Sequence, residues 1–363
     1  MGLSIYLPVA TTPMYKSTIV VSPRERFSSV IPSLKSIFNT VDDSVPVIVV
    51  EGVTPTEIRA EIKALQSERP FKHIALSYPV TPNEARNIGA AEVETEFVLF
   101  ADNDIEYEAG WLEALERNAD ENDADAVAPL IFIGPCETVT IHHAGGKLHH
   151  ERDGANLILS EQHRFMNVPL EEVEAQLSDP SMLENEVCEF HCMLMRKDLY
   201  DRMGGLDERL ITREQMDFAL RCMDMGTKVT FEKDSRVTYR AYDPFNSVDL
   251  QYHLFRWSDE RAVESIKAFE ETWGVKLKAD RIRYSWIQNH RDRAIATVYP
   301  WPRKVLGRKF MRRLISQKIE RRVREQFDMK RAKLGEKSIP NRPEVVWAGT
   351  LFGLDDGRSG SQA

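Results

Sequence analysis

Asp102-Asn103-Asp104 follows directly on the apolar run Phe97-Val98-Leu99-Phe100-Ala101. Two carboxylates that leave the end of a buried strand together stand close enough to hold one divalent cation. A hard cation there would neutralise a diphosphate and help it depart from a sugar. The site would be catalytic if a nucleotide cavity lies beside the strand end. Acidic loops are common and most are merely solvated, so the weight of this motif depends on what surrounds it. A second group of possible ligands, His142, His143, His149 and His150 with Gly145 and Gly146, lies in a less regular stretch from Gly134 to Leu183. Histidine spacing alone does not build a site, and a loop or edge hairpin is expected there in preference to a second metal centre. Cys188 and Cys192 flank a histidine inside an apolar run, but the spacing lacks the short Cys-x-x-Cys pattern of many zinc sites. With Cys136 and Cys222 they read as buried reduced thiols.

The elements that must position Asp102 and Asp104 alternate between strand and helix. Ser17 to Val21 reads as a strand, Ser28 to Phe38 as a helix, Val45 to Val50 as a strand and Thr56 to Leu65 as a helix. Lys72 to Leu76 forms a short strand. Thr81-Pro82-Asn83-Glu84 then starts a helix reaching Ala91: Thr81 caps, Pro82 fits the first turn and Glu84 completes a capping box. Glu96 to Ala101 is the strand that carries Asp102. Ala124 to Ile133, Val187 to Met195 and Val229 to Tyr239 supply further strands. Thr212 is expected to cap a late helix with Gln215 at its box position. Apolar strands separated by helices favour a mostly parallel sheet covered on both faces, with ligands gathering beyond the carboxyl ends of the strands.

The chain has 363 residues, 42% hydrophobic and 29% charged, as in a soluble globular protein. It has no apolar core behind a basic N-terminal segment and no run long enough to span a membrane, so a cytoplasmic location is expected. The net charge of -9 is uneven: Arg303 to Lys333 carries thirteen Lys/Arg against three Asp/Glu, +10, which leaves -19 for the remainder. Within that segment Leu306, Phe310, Leu314, Ile319, Val323 and Phe327 recur at near-helical spacing. Such a helix can pack on its own catalytic domain or a second copy, or lie on the inner face of an anionic membrane. Nucleic acid is disfavoured, because no recognition motif accompanies the charge.

Several separated segments together resemble the inverting glycosyltransferases of family 2, over roughly Ser17 to Tyr239. They are Thr18-Ile19-Val20-Val21-Ser22-Pro23, Val47-Ile48-Val49-Val50-Glu51, Asn83-Glu84-Ala85-Arg86-Asn87-Ile88-Gly89 and Glu96 to Asp104. Met195-Arg196-Lys197, Gly204-Gly205-Leu206-Asp207-Glu208 and Glu214-Gln215-Met216-Asp217-Phe218 complete the set in order. The resemblance implies a GT-A type, Rossmann-like α/β sheet covered by helices. The expected division is a catalytic domain over 1–245, a helical, aromatic and basic extension over 246–339, and a loose tail over 340–363. It further implies a nucleotide-diphospho-sugar donor and Mn2+ or Mg2+. The acceptor would be the hydroxyl of a glycan, glycolipid or small molecule, as in polysaccharide biosynthesis. Pro23 and Glu51 would hold base and ribose, with Glu51 in place of the family's usual Asp. Arg86 would meet the diphosphate end. Asp104 is the first choice for the direct metal ligand, with Asp102 contacting the ribose or completing the metal shell.

The family's base is the Asp of a Glu-Asp pair at the start of a late helix. Here the pair reads Glu214-Gln215, and an amide cannot take a proton from the acceptor. Glu214 is therefore the leading candidate, with Asp217 second. His253-Leu254-Phe255-Arg256-Trp257 resembles, with histidine for glutamine, the Gln-x-x-Arg-Trp element of processive polysaccharide synthases. There Trp257 would stack on a sugar and Arg256 would meet phosphate, with His253 beside them, or the three would serve core packing. Transfer of one or a few sugars is expected over processive polymerisation. Two other classes stay open. A sugar-phosphate nucleotidyltransferase would need a Gly-rich basic loop that Ser22-Pro23-Arg24-Glu25-Arg26 does not supply. A noncatalytic glycan-binding or assembly protein is favoured by the missing carboxylate at 215.

Overall fold

The computed structural model describes residues 15–135, 139–154, 156–277, 287–300, 304–305, 307 and 317–334. The chain alternates as the apolar pattern requires: β1 (Ser17–Ser22), α1 (Val30–Thr40), β2 (Val47–Glu51), α2 (Thr56–Glu68), β3 (Lys72–Ala75), α3 (Pro82–Ala90) and β4 (Phe97–Asp102). Then follow β5 (Ile105–Tyr107), α4 (Trp111–Glu121), β6 (Ala126–Ile133), β7 (Thr140–His143), β8 (Gly146–Asp153), β9 (Asn156–His163) and α5 (Leu170–Leu177). β10 (Cys192–Arg196), α6 (Lys197–Arg202), α7 (Glu214–Met225) and β11 (Val229–Tyr239) close the sheet. Beyond it lie α8 (Ser247–Arg256), α9 (Asp259–Trp273), β12 (Lys276–Leu277), α10 (Ile287–Val298) and α11 (Gln317–Leu334).

The main sheet runs β3-β2-β1-β4-β10-β6-β11-β5, with β7 paired to β6. β3, β2, β1 and β4 are parallel, β10 enters antiparallel between β4 and β6, and β6 and β11 are again parallel. Alternation splits each strand between two cores. Ile19, Val21, Leu99 and Ala101 pack with α1, α2 and α4, while Val20, Val98 and Phe100 pack with α3, α6 and α7. The expected mostly parallel, two-faced sheet is what forms.

Two registers decide where the chemistry can be. Ser22 stands opposite Asp102, so the residues after β1 meet the end of β4. Cys192 pairs with Ala101, which brings His191 alongside Asp102; the Asp102 amide donates to the His191 carbonyl at 3.0 Å.

The Asn83-to-Gly89 motif gains a physical reading from α3. Its capping box forms as the sequence predicts. Asn83 and Asn87 hold the turn before α7: Asn83 Nδ2 donates to the Asp207 carbonyl, and Asn87 bonds both the amide and carbonyl of Leu206 and the Tyr200 hydroxyl. Gly89 lets α3 lie on the sheet, because a Cβ there would meet Val20 Cγ1 at 2.3 Å.

Two expectations change, at Thr212 and at Val187–Met195, while the hairpin and the buried thiols form as the sequence leads one to expect. Thr212 is not the cap of α7: the N-cap is Arg213, with no side-chain cap bond, and Thr212 Oγ1 meets Ser265 Oγ at 3.3 Å. Only the second half of Val187–Met195 is strand, because the preceding segment is drawn away to form polar contacts. The stretch from Gly134 contains the β8–β9 hairpin, where His149 and His150 are exposed, whereas His142 and His143 lie on β7. Cys188, Cys192 and Cys222 are free and buried, and Cys136 lies outside the described residues. Among the described residues no helix is long and apolar enough to cross a membrane. The 340–363 tail lies outside the described residues, as do Leu306, Phe310 and Leu314 of the basic segment.

Candidate active site

Asp102 ends β4 fully buried and fully engaged. Arg24 Nη1 lies 2.9 Å from Oδ2, Arg86 Nη2 lies 2.8 Å from Oδ1, and His191 Nδ1 lies 3.2 Å from Oδ2. Burial alone would raise its pKa, but the two guanidiniums and the imidazole outweigh it and hold the carboxyl well below the usual range. Asp104 is the reverse case. It is 1% exposed, neither carboxylate oxygen has a hydrogen-bond partner, and its nearest cation, Arg26 Nη1, stands 3.8 Å away. Burial, then the neighbouring Asp102 charge, pushes its pKa up to about 6.

A buried carboxylate with two orphaned oxygens is costly unless a cation completes it. Asp102, Asp104 and His191 offer ligand atoms within 4.8 Å of one another, a set that suits a divalent ion bound by oxygen and imidazole. No sequence pattern marks His191 as a ligand. Its only signal was a polar residue inside the Cys188–Met195 apolar run, and only the antiparallel β10 register brings it to Asp102.

Pro23 and Glu51 line one narrow cleft with Phe27, Val49, Thr54 and Asn103. Glu51 is 3% exposed; Oε1 accepts from Arg59 at 2.7 Å and lies 3.2 Å from His73 Nε2, while Oε2 lacks a hydrogen-bond partner. The donor candidates Pro23, Arg86 and Asp102 thus meet at the strand ends, with Glu51 at the far wall. Arg86 also lies over the Phe190 ring at 4.4 Å.

Glu214 begins α7 buried, with Oε1 3.2 Å from Arg256 Nη2. Arg256 also reaches the Arg24 carbonyl at 3.3 Å and Glu25 Oε1 at 3.7 Å, so α8 is joined to the end of β1. Asp217 faces elsewhere: Trp273 Nε1 donates to Oδ1 at 2.9 Å and Arg221 Nε lies 2.8 Å from Oδ2. Burial raises the Asp217 pKa despite both partners. His253 and Trp257 are buried, Trp257 stacked on His290 at 4.7 Å and His253 Nδ1 4.0 Å from Glu25 Oε2. Of that trio only Arg256 touches Glu214.

Three buried arginines, Arg26, Arg86 and Arg256, with the half-buried Arg24, face four buried acids, Glu25, Asp102, Asp104 and Glu214. A dication together with a diphosphate dianion would enter such a set without unbalancing its charge.

A sheet of this order, with an Asp-x-Asp at the end of its central strand, is that of a GT-A type glycosyltransferase. Residues 17–204 match the family described as Glycosyl transferase family 2, and the chain belongs to that family. No curated protein matches the sequence. Solved structures similar to it include GalNAc-T7 with UDP, GalNAc and Mn2+, at 14% identity and a TM-score of 0.48, covering 82% of this chain and 57% of that one. Another is the mannosyltransferase PcManGT from Pyrobaculum calidifontis with GDP-Man and Mn2+, at 14% identity and a TM-score of 0.47, covering 92% of this chain and 79% of that one. The chain therefore spans little more than half the length of the first.

Proposed function

We propose that the protein transfers a sugar from a nucleotide-diphospho-sugar to an acceptor hydroxyl with inversion, dependent on Mn2+ or Mg2+. The observation that carries this reading is Asp104, whose two buried carboxylate oxygens are unpartnered beside Asp102 and His191. Asp104 would hold the cation, with His191 and Asp102 completing the protein ligands. When bound, the ion supplies positive charge to the departing diphosphate.

The remaining work falls to side chains of this chain. Pro23 and Glu51 wall the nucleoside cleft, and the free Oε2 of Glu51 accepts from a base edge or ribose. Arg24 and Arg86 each keep a buried Nε–H without a partner, and these face phosphate oxygens once a donor enters. Glu214 takes the acceptor proton as the hydroxyl oxygen attacks the anomeric carbon. The nucleoside diphosphate leaves from the opposite side. Both Asp217 oxygens are held, by Trp273 and Arg221, whereas Arg256 meets Glu214 at Oε1, which favours Glu214.

The test is a thermal-shift screen of nucleoside diphosphates and nucleotide-sugars with added Mn2+, followed by product analysis. The wild type should show a metal-dependent shift that Asp104→Asn loses. Glu214→Gln should keep donor binding while turnover falls about 10²–10⁴-fold. Equal shifts in wild type and Asp104→Asn would remove the cation site, and release of pyrophosphate would indicate nucleotidyl transfer.

A further inference from the structure

The polar chain that starts at Asp102 continues past His191. His191 Nε2 is 3.7 Å from Glu189 Oε2, and behind Glu189 lie His163 and Glu161 at the end of β9. His163 Nε2 stands 3.5 Å from Glu161 Oε2 and 3.6 Å from Glu189 Oε1, and the ligand atoms of all three residues lie within 4.8 Å of one another. A tetrahedral ion bound at about 2.0–2.1 Å holds its ligand atoms roughly 3.3–3.4 Å apart. The two separations are close to the edges of that tetrahedron. They are longer than the ~2.7–2.9 Å of a charge-assisted N–H···O bond, the geometry expected if a proton alone joined the groups.

The surroundings point the same way. The side chains of His163, Glu189 and Glu161 are 7%, 9% and 13% exposed. Around them, buried atoms without a hydrogen-bond partner gather: His163 Nδ1, Glu161 Oε1, His142 Nδ1 and His143 Nε2. The His143 and His142 rings lie 5.0 and 6.0 Å from the His163 ring.

We infer that Glu161, His163 and Glu189 hold a second divalent cation of the imidazole-seeking kind, zinc being the type, with a fourth position left for water. His142, Glu189 and His191 form an overlapping group. The first set is preferred because its separations fit a tetrahedron and it leaves His191 to Asp102. The ion joins β9 to the segment before β10, and so fixes the histidine that faces Asp102. It also accounts for Gln215. The amide Nε2 lies 3.4 Å from Glu161 Oε2 and donates to it, whereas an aspartate there would bring another carboxylate to the cluster. The ion is thus a positioning site beside the first turn of α7. It stands on the cluster alone and does not require the transfer reaction.

The full chain, stripped with a chelator, would be equilibrated with Zn2+ and desalted, and bound metal counted in wild type, His163→Gln, Glu161→Gln and Asp104→Asn. Zinc should persist in Asp104→Asn and bind at least about tenfold more weakly in the other two. Equal retention in wild type and both cluster variants overturns the proposal, as does loss in Asp104→Asn alone. Should the cluster variants fail to fold, Co2+ loaded into Asp104→Asn decides. The intense visible bands of a four-coordinate ion support the site, and their absence overturns it.

Discussion

Asp102 ends β4 and Asp104 follows two residues on; both are desolvated by burial, and they differ in the cations that face them. Removing the Asp102 charge leaves the fully buried Arg86 and the half-buried Arg24 without their carboxylate, so Asp102→Asn should cost about 3–5 kcal/mol. Asp104→Asn replaces an orphaned buried carboxylate by a neutral amide, and with chelator present it should leave stability unchanged or raise it by about 1–3 kcal/mol. Urea denaturation of the two metal-free variants checks the contrast; equal destabilisation would mean Asp104 has a protein partner. Glu25 gives a pH test. Burial raises its pKa, but His253, Arg256 and Arg24 bring it down to about 2. Burial also lowers His253 to about 4, so above that pH the two arginines carry the effect. A carboxylate whose folded pKa is depressed contributes stability that is complete above its unfolded value near 4.5 and lost as pH falls toward 2. The stability gap between wild type and Glu25→Gln, of the order of 3 kcal/mol at pH 7, should therefore be flat above about pH 5 and shrink below it. At this scale Asp102, Asp104, Arg86 and Glu214 are candidates from sequence because they lie in ordered motifs. Arg24, Glu25 and His191 are not legible in the same way, because their contacts come from the β1–β4 and β4–β10 registers, which no local pattern encodes.

The elements were legible where period and capping agree, as in α3, and less so where a tertiary contact redirects the chain. Val187 to Met195 reads as one apolar strand, yet Asn185 Oδ1 accepts from the Gly146 amide at 2.8 Å and Glu189 turns toward histidines, so pairing begins only at Cys192. The start of α7 is the other case. Ser265 Oγ donates to the Thr212 carbonyl at 3.0 Å and approaches the Thr212 hydroxyl, which takes Thr212 out of the cap and leaves Arg213 there with φ of 65°. A residue with a Cβ pays about 1–2 kcal/mol in that left-handed region. Arg213→Gly relieves the strain at some cost in unfolded-chain entropy, so a gain of roughly 0.5–1 kcal/mol in apparent stability is expected. Thermal denaturation decides it, and a loss would mean that the Arg213 guanidinium contributes more than its backbone costs. Gly89→Ala should act oppositely, since the added methyl must displace Val20 in the core.

On the scale of the whole molecule, the helices after the sheet brace the cleft that Pro23 and Glu51 line. α8 supplies Arg256 to Glu214, and its Tyr252 hydroxyl donates to the carbonyls of Pro23 and Val80 at 3.2 and 3.0 Å. The basic helix packs here: Phe327 of α11 is 3% exposed and its ring lies 5.2 Å from Phe255, in one cluster with Tyr252 and Phe27. Ile319 and Val323 meet Leu250 and Leu254, and Arg324 pairs with Glu260. The periodic apolar face seen in the sequence is thus, from Ile319 onward, an intramolecular face. Its charges lie mostly outward, with Lys318, Arg321, Arg322 and Lys330 exposed. Phe327→Ala should cost about 3–5 kcal/mol through the cavity it opens. The loss should reach the donor cleft through Phe255 and Tyr252, because Tyr252 holds the main chain at Pro23. Donor KM should therefore rise while the Mn2+ requirement stays, since Asp104 lies in the turn between β4 and β5, His191 lies just before β10, and neither belongs to the clusters that α11 joins. Lys330→Ala, an exposed change on the same helix, should leave both stability and KM unchanged within about 0.5 kcal/mol. If Phe327→Ala lowers stability without moving donor KM, α11 stabilises the fold but does not shape the cleft.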